Sequence, residues 1–281
     1  MYLRPQNLDE ALRTLAQGAR VLAGATDLLP AAGECGLDGA FVDVSRLAAL
    51  RGVTRDGAFI RIGAATTWSE IVRADLPPAF AGLKAAAREI GAAQIQNRGT
   101  LAGNLCNASP AADGVPPLLA LDAQVELASR RGPRRLPLQD FLLGARKTAL
   151  AADELMTAIL CPAPSPHWRS AFVKLGARRY LVISIAMVAV GLEIVDGAVR
   201  EARVAVGSCS AVAMRLPAAE ARLAGAAAND ALADRLCAEN FSALAPIDDV
   251  RASADYRRAA ALELTRRALR ACVNGESGGV V

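Results

Sequence analysis

A chain of 281 residues, 53% apolar and 21% charged, is long enough for more than one core and too apolar to be disordered. The net charge of +4 is mild, and Lys and Arg are spread along the chain, which argues against a nucleic-acid-binding face; Arg130-Arg131 and Arg134-Arg135 read as a solvated loop. The six cysteines (Cys35, Cys106, Cys161, Cys209, Cys237, Cys272) contain no C-x-x-C pair, so zinc-ribbon and clustered iron–sulfur ligand sets are absent and free thiols in a reducing compartment are the simplest account.

Leu8, Leu12, Leu15 and Ala16 at helical spacing predict an amphipathic helix over 8–17, followed by a short strand Arg20–Leu22. Phe41–Val44 predicts another strand, and Asp56-Gly57 a turn before a strand at Phe59–Ile62. Thr67 is placed to cap a helix from Trp68, with Glu70 completing a capping box. Ala79–Ile90 reads as an Ala-rich helix. Pro110, Pro116 and Pro117 predict turns before a core segment Leu118–Leu121. Strands are expected at Val125–Ala128 and Arg135–Leu138, around a basic turn.

Three prolines in Cys161-Pro162-Ala163-Pro164-Ser165-Pro166 cannot continue a helix or a central strand, which makes this stretch the expected domain boundary. Beyond it come Phe172-Val173-Lys174, a long strand Val182–Val195, an Asp196-Gly197 hairpin turn and a strand Val199–Val206. Helices are expected around Ala218–Cys237 and Ala254–Cys272, then a loose tail over 274–281. The apolar run from Leu181 to Ile194, about 14 residues with Ser184 and Glu193 inside it, is too short to cross a bilayer. No signal-peptide pattern opens the chain, so a cytoplasmic protein without a membrane span is expected.

Two loops carry the chemistry. Val21-Leu22-Ala23-Gly24-Ala25-Thr26-Asp27-Leu28 and Gly99-Thr100-Leu101-Ala102-Gly103-Asn104 each put small residues beside a hydroxyl, carboxylate or amide, the composition of a main-chain nest for phosphate oxygens. Neither fits G-x-G-x-x-G or G-x-x-x-x-G-K-[ST], so Rossmann and P-loop signatures are missing. The first loop taken alone also reads as an ordinary strand-to-helix turn with Gly24 at a left-handed position; the second, with more polar side chains, is the more suggestive. Asn107, Ser109 and Asp113 extend the polar segment; Asp113 reads either as an Asx turn or as a carboxylate accepting ribose or ring N–H bonds. Lys174 reads either as a cation facing a cofactor or as a solvent-facing strand lysine. With His167 the single histidine, H-E-x-x-H is excluded and a Ser-His-Asp triad would have to use this linker residue, so chemistry must come from a bound cofactor.

The loops and their surroundings resemble the FAD-binding medium subunit of the molybdenum hydroxylases, the xanthine dehydrogenase, carbon monoxide dehydrogenase and aldehyde oxidoreductase relatives. Ala23-Gly24-Ala25-Thr26-Asp27-Leu28 stands where that family typically has A-G-G-T-D-L. Ile95-Gln96-Asn97-Arg98-Gly99-Thr100-Leu101-Ala102-Gly103-Asn104 resembles I-R-N-x-G-T-I-G-G-N, and Asn107-Ala108-Ser109-Pro110-Ala111-Ala112-Asp113 matches N-A-S-P-x-x-D. Phe172-Val173-Lys174-Leu175-Gly176, Arg178-Arg179, Arg203–Gly207 and Asp255-Tyr256-Arg257-Arg258 are similar to the family's C-terminal domain, so the likeness runs nearly the whole chain in order.

The resemblance implies an α+β fold. An FAD-binding domain of the p-cresol methylhydroxylase and vanillyl-alcohol oxidase type would span 1–163 in subdomains of about 1–55 and 56–163, and a C-terminal antiparallel sheet-and-helices domain 168–273. It implies that Val21, Leu22, Ala23, Gly24, Ala25, Thr26, Asp27 and Leu28, with Thr100, Leu101, Ala102, Gly103 and Asn104, wrap the FAD diphosphate and ribityl chain. Asp113 would hold a polar group of the cofactor, Met156 an apolar contact to its adenine half, Lys174 a place near the flavin ring and Ile90 a packing contact with it. No catalytic acid–base residue and no metal ligand is expected in this chain. The implied partners are a large molybdopterin-binding subunit and a small iron–sulfur subunit, in a dimer of heterotrimers, with this chain passing electrons through FAD to an external acceptor. A flavin-free scaffold subunit and a self-sufficient FAD oxidase are the alternatives. Ala25 and Ala102 replace usual glycines and Gln96 a common arginine. A Cβ at φ > 0 costs about 1 kcal/mol or more, so either both alanines have ordinary φ or the loops hold FAD with altered geometry.

Overall fold

A computed structural model describes residues 1–279. The chain begins with β1 (Tyr2–Leu3), α1 (Leu8–Leu15), β2 (Arg20–Leu22), α2 (Leu28–Ala32) and β3 (Phe41–Asp43), whose strands form a small parallel sheet in the order β1-β3-β2. Asn7 opens α1 by accepting the Glu10 N–H at 2.9 Å. The helix then buries Ala11, Leu12 and Leu15 against Val42, Val44 and Leu47. Because β2 stops at Leu22, the next residues leave the sheet with no strand beside them, and this is the first loop.

A second sheet is antiparallel, in the order β4 (Val53–Asp56), β5 (Phe59–Gly63), β10 (Leu155–Pro162), β6 (Gln124–Ser129), β7 (Gly132–Pro137). Between β5 and β6 lie α3 (Trp68–Arg73), α4 (Ala81–Glu89), α5 (Ala93–Gln96), α6 (Leu101–Asn107) and α7 (Val115–Ala120). Between β7 and β10 lie α8 (Leu138–Phe141) and a small hairpin of β8 (Leu142–Gly144) and β9 (Lys147–Thr148). The capping box forms: Glu70 N–H donates to Thr67 Oγ1, and Thr67 N–H donates to Glu70 Oε2 at 2.7 Å. Trp68, Phe80, Leu83, Leu101, Leu105, Leu118 and Phe141 fill the core under the central strand β10.

The prolines and arginines sit elsewhere than expected. Pro116 and Pro117 occupy the first turn of α7, where a missing N–H costs nothing. Cys161 and Pro162 still pair with Ile60 and Phe59, so the strand ends one residue inside the proline cluster. Arg134 and Arg135 belong to β7 rather than to a solvated loop, and pair with Glu154 and Glu126.

The rest of the chain builds a four-stranded antiparallel sheet of β11 (Trp168–Leu175), β12 (Ala186–Val195), β13 (Ala198–Gly207) and β14 (Met214–Arg215), followed by α9 (Pro217–Leu223) and α10 (Ala254–Val273). The expected strand from Val182 starts only at Ala186: Tyr180, Leu181 and Ile183 are exposed, and Leu181 has φ +51°. The expected helix Ala218–Cys237 breaks after Leu223, where Gly225 takes φ +76°, and continues as tight turns at Asp230–Arg235 and Ala238–Phe241. The hairpin at Asp196-Gly197 forms, with both residues at positive φ.

Where the two sheets' layers meet, Ala85 and Ala86 of α4 and Ala120 of α7 pack on Phe172, Met187 and Ala189. Inside this junction the buried Ser170 hydroxyl accepts from Gly82 N–H at 2.9 Å and donates to Ala79 C=O at 2.6 Å. The tail, expected to be loose, lies along β11: Phe172 N–H donates to Ser277 C=O at 3.0 Å and Lys174 N–H to Gly279 C=O at 3.3 Å. Val280 and Val281 lie outside the described residues.

Candidate functional site

A cavity of about 410 Å³ opens between the two loops and the start of β10. Val21, Ala23, Gly24, Ala25, Thr26, Asp27, Leu28, Ile90, Thr100, Ala102, Gly103, Asn104 and Met156 all line it. Leu22 and Leu101 do not. Leu22 is held in β2 opposite Asp43, and Leu101 is fully buried in the core beneath α6.

The two loops touch. A Cβ on Gly24 would collide with the Arg98 carbonyl oxygen, so glycine is required there by close approach of the second loop's backbone. Ala25 adopts φ +61°, the conformation its Cβ disfavours. Past Ala25 the chain turns into α2, with Leu29 N–H donating to Ala25 C=O and Ala31 N–H to Asp27 C=O. The amides of Gly24, Ala25, Thr26 and Asp27 donate to no protein acceptor among the described residues. Consecutive free amides on a cavity wall form an anion-binding concavity.

The second loop commits its amides to protein. Gly99 N–H donates to Ile95 C=O, Leu101 N–H to Thr66 C=O, Ala102 N–H to Ala64 C=O and Asn104 N–H to Thr100 C=O. Thr100 caps α6, its Oγ1 accepting from Gly103 N–H at 3.1 Å. Ala102 is therefore a helical residue with ordinary φ, and of the two alanines only Ala25 is strained. The Asn104 side-chain oxygen is buried with no hydrogen-bond partner, an acceptor left for a ligand hydroxyl or N–H. Asn107 Nδ2 donates to Asp27 Oδ1 at 2.8 Å and ties the end of the second loop to the first.

Several wall residues escaped the sequence reading. Trp68 is 1% exposed, yet it lines the cavity and packs on Gly99 and Gly114. Ile95, Cys106 and Glu154 line it too. Glu154 is buried, and the two-pronged Arg134 guanidinium at 2.6 and 2.7 Å holds its carboxyl below the usual carboxylate range. Trp68 carried a signal through its capping box, which fixed the helix start rather than the direction of the ring, and Ile95 stood first in the motif that holds the second loop.

Asp113 and Lys174 stand outside this wall and face each other. Lys174 Nζ donates to Asp113 Oδ2 at 2.6 Å and Ser184 Oγ to Asp113 Oδ1 at 2.5 Å, all three buried where the C-terminal sheet meets the cavity-bearing unit. Lys174 is thus no solvent-facing strand lysine, and Asp113 forms no Asx turn. Burial pushes the Asp113 carboxyl above its ordinary range, and Lys174 opposes the shift. Burial also raises Glu89 at the end of α4, against the pull of Lys174.

The arrangement suits a ligand that carries phosphate at one place and hydroxyl or ring N–H donors at another. Free amides and an unpaired acceptor share one cavity, and apolar Val21, Ile90 and Met156 supply area. A flavin dinucleotide has those groups, and the residues present fit it. Among the described residues no cluster of His, Cys, Asp or Glu is placed to hold a metal ion.

Residues 1–164 match the family model described as FAD binding domain in molybdopterin dehydrogenase, and residues 171–272 the one described as CO dehydrogenase flavoprotein C-terminal domain. The chain is 32% identical to the nicotine 6-hydroxylase medium subunit of Paenarthrobacter nicotinovorans, over 95% of each chain. It is 32% identical to the xanthine dehydrogenase FAD-binding subunit of Escherichia coli O157:H7, over 99% of this chain and 97% of that one. Among solved structures it superposes on a chain of carbon monoxide dehydrogenase from Hydrogenophaga pseudoflava with a TM-score of 0.87 and 30% identity, covering 98% of each. A chain of a Cu,Mo-CO dehydrogenase in its cyanide-inactivated form gives a TM-score of 0.90 at 28% identity, covering 98% and 97%.

Proposed function

This chain belongs to the family of FAD-binding medium subunits of molybdenum hydroxylases, and on that premise we propose that it is the electron-transfer subunit of a heterotrimeric molybdenum-containing dehydrogenase. It is an oxidoreductase subunit whose substrate pocket lies on another chain. Bound FAD would supply the redox chemistry, taking electrons delivered through iron–sulfur clusters and giving them to an external acceptor. The large subunit would hold the molybdopterin and the small one the clusters, two heterotrimers forming the complex. Among the described residues no helix is long and apolar enough to cross a membrane; the free thiols support a reducing compartment, the cytoplasm, as the place of the complex.

The observation that carries this reading is the row of free amides at Gly24, Ala25, Thr26 and Asp27 on the cavity wall. We assign the diphosphate to them. Thr100 and Asn104, across the cavity, would meet the ribityl and ribose hydroxyls, and Ile90 and Met156 would give apolar contacts. Asp113 and Lys174 would act behind the wall, fixing the C-terminal sheet against the unit that holds the cofactor. The flavin-free alternative now rests on Ala25 alone. The strain there is about 1–2 kcal/mol. A self-sufficient oxidase would need its own substrate domain with acid–base residues; His167 is exposed in the linker and lines no part of the cavity, and the wall carboxylates Asp27 and Glu154 are engaged by Asn107 and Arg134.

The test is to purify the full chain with the subunits that accompany it and to measure flavin by its visible absorption band, with molybdenum and iron by elemental analysis. One flavin per chain, together with both metals, is the expected result. A correctly assembled complex without flavin would overturn the reading, and gain of flavin only in the Ala25→Gly variant would favour the scaffold.

A further inference from the structure

At the lip of the cavity a carboxylate stands where the proposed function puts a diphosphate. Asp27 belongs to the same loop as the free amides, and it lines the cavity. A negative charge there opposes a second one, unless something answers it. Asn107 Nδ2 donates to Asp27 Oδ1 at 2.8 Å. Arg146 Nη1 in turn donates to Asn107 Oδ1, and also to the Asn107 backbone C=O at 3.2 Å. The guanidinium thus reaches the Asp27 carboxylate through one amide group, which it polarises.

The backbone pays for this placement twice. Arg146 sits in the turn between β8 and β9 with φ +59°, and its N–H donates at 2.8 Å to the carbonyl of Ala108, itself at φ +45°. Ala108 ends α6, the helix that the second loop starts. Ala108 caps α6 and Arg146 turns the hairpin, and the hydrogen bond between these two left-handed residues fixes the hairpin beside the end of α6. Nothing else in the β8–β9 hairpin reaches either loop through a side chain among the described hydrogen bonds.

We propose that Arg146 is a positioning residue for the cofactor diphosphate: through Asn107 it offsets the charge of Asp27 and latches the second loop to the first. The inference rests on the FAD reading above and adds to it a residue outside both loops.

The experiment is a double-mutant cycle on the full chain in its co-purified complex, stripped of flavin, with FAD titrated back by fluorescence quenching at low and high salt. Arg146→Gly keeps a residue suited to the turn, so the melting temperature of the flavin-free form holds or rises. FAD affinity falls about tenfold at low salt, the scale of one hydrogen bond to a charged group. Added salt narrows the difference, and Arg146→Lys recovers part of the loss. In an Asp27→Asn background the same Arg146→Gly change weakens FAD less than about twofold, because there is no carboxylate left to offset. Equal losses in both backgrounds, or no loss in either, would overturn the latch while leaving the FAD reading in place. A parent chain that takes up no FAD would overturn both.

Discussion

Between Gly24 and Asp27 the backbone holds its amides open to the cavity, whereas between Gly99 and Asn104 almost every amide has a protein acceptor. The two loops look alike as sequences, each a glycine among small residues with Thr and a carboxylate or amide. They differ in their anchorage. The first leaves a three-residue strand and enters a five-residue helix whose N-cap Asp27 makes no side-chain cap. The second is stitched to Ala64 and Thr66 and capped by Thr100, so its polarity is turned inward except at Asn104 and Asn107. An open nest supplies charge recognition, and a closed helix start supplies the fixed surface against which it works. Like composition does not imply like chemistry.

The largest expected effect tests whether charge recognition belongs to the loops at all. Lys174→Met leaves Asp113 buried with only Ser184 as partner, and stability should fall by about 3–5 kcal/mol with or without FAD, read as a lower midpoint in urea. A variant of normal stability that fails only in flavin binding would move Lys174 back into the cofactor site and dissolve the contrast. Next comes Gly24→Ala, whose methyl meets the Arg98 carbonyl. Forcing the loops apart should cost about 1–3 kcal/mol and strip most of the flavin from the purified complex. Full flavin retention would mean that contact between the loops is incidental.

A matched pair sharpens the comparison further. Ala25→Gly relieves a left-handed alanine and should raise stability by about 1 kcal/mol. Ala102→Gly introduces glycine inside α6 and should lower it by about 1 kcal/mol. Opposite signs for one substitution in two similar loops, measured by thermal melting, would express the difference between them; the same sign would erase it. The smallest effect concerns Glu154. Arg134 holds its folded carboxyl below the unfolded value of 4.5, so its stabilisation is present above that pH and is lost as pH falls through the lower folded value. The melting temperature should decline on acidification below pH 4.5, and Glu154→Gln should flatten that limb by no more than about 1 kcal/mol, since Arg134 is half exposed.

Sequence made the helix at Trp68, the hairpin at Asp196-Gly197 and both loops legible, because caps and turns depend on neighbouring residues. What failed depended on distance. Val182 and Ile183 have strand composition but lie before the strand, in an irregular segment bent at Leu181, where φ is +51°; Val182 is half-buried and Ile183 exposed. Asp113 meets Lys174 from 61 positions away, a pairing that no local pattern announces. Arg146 was invisible for the same reason: an arginine in a hairpin turn gives no hint that it reaches Asn107. The alanine at position 25 could be flagged by its family resemblance, but only the backbone angle separated it from the alanine at 102.

The hydroxyl of Ser170, clasped between Gly82 and Ala79, has a consequence for how this molecule can be recombined. The stretches that match two separate family models, 1–164 and 171–272, meet through Ala85, Ala86 and Ala120 on one side and Phe172, Met187 and Ala189 on the other. The two stretches therefore share a buried seam besides their separate cores. A chimera that borrows the C-terminal portion from a relative must borrow the facing surfaces of α4 and α7 as well. The portion expressed alone would present Phe172 and Met187 to water, and its useful border for protein engineering is drawn through the junction's contacts rather than through the proline linker.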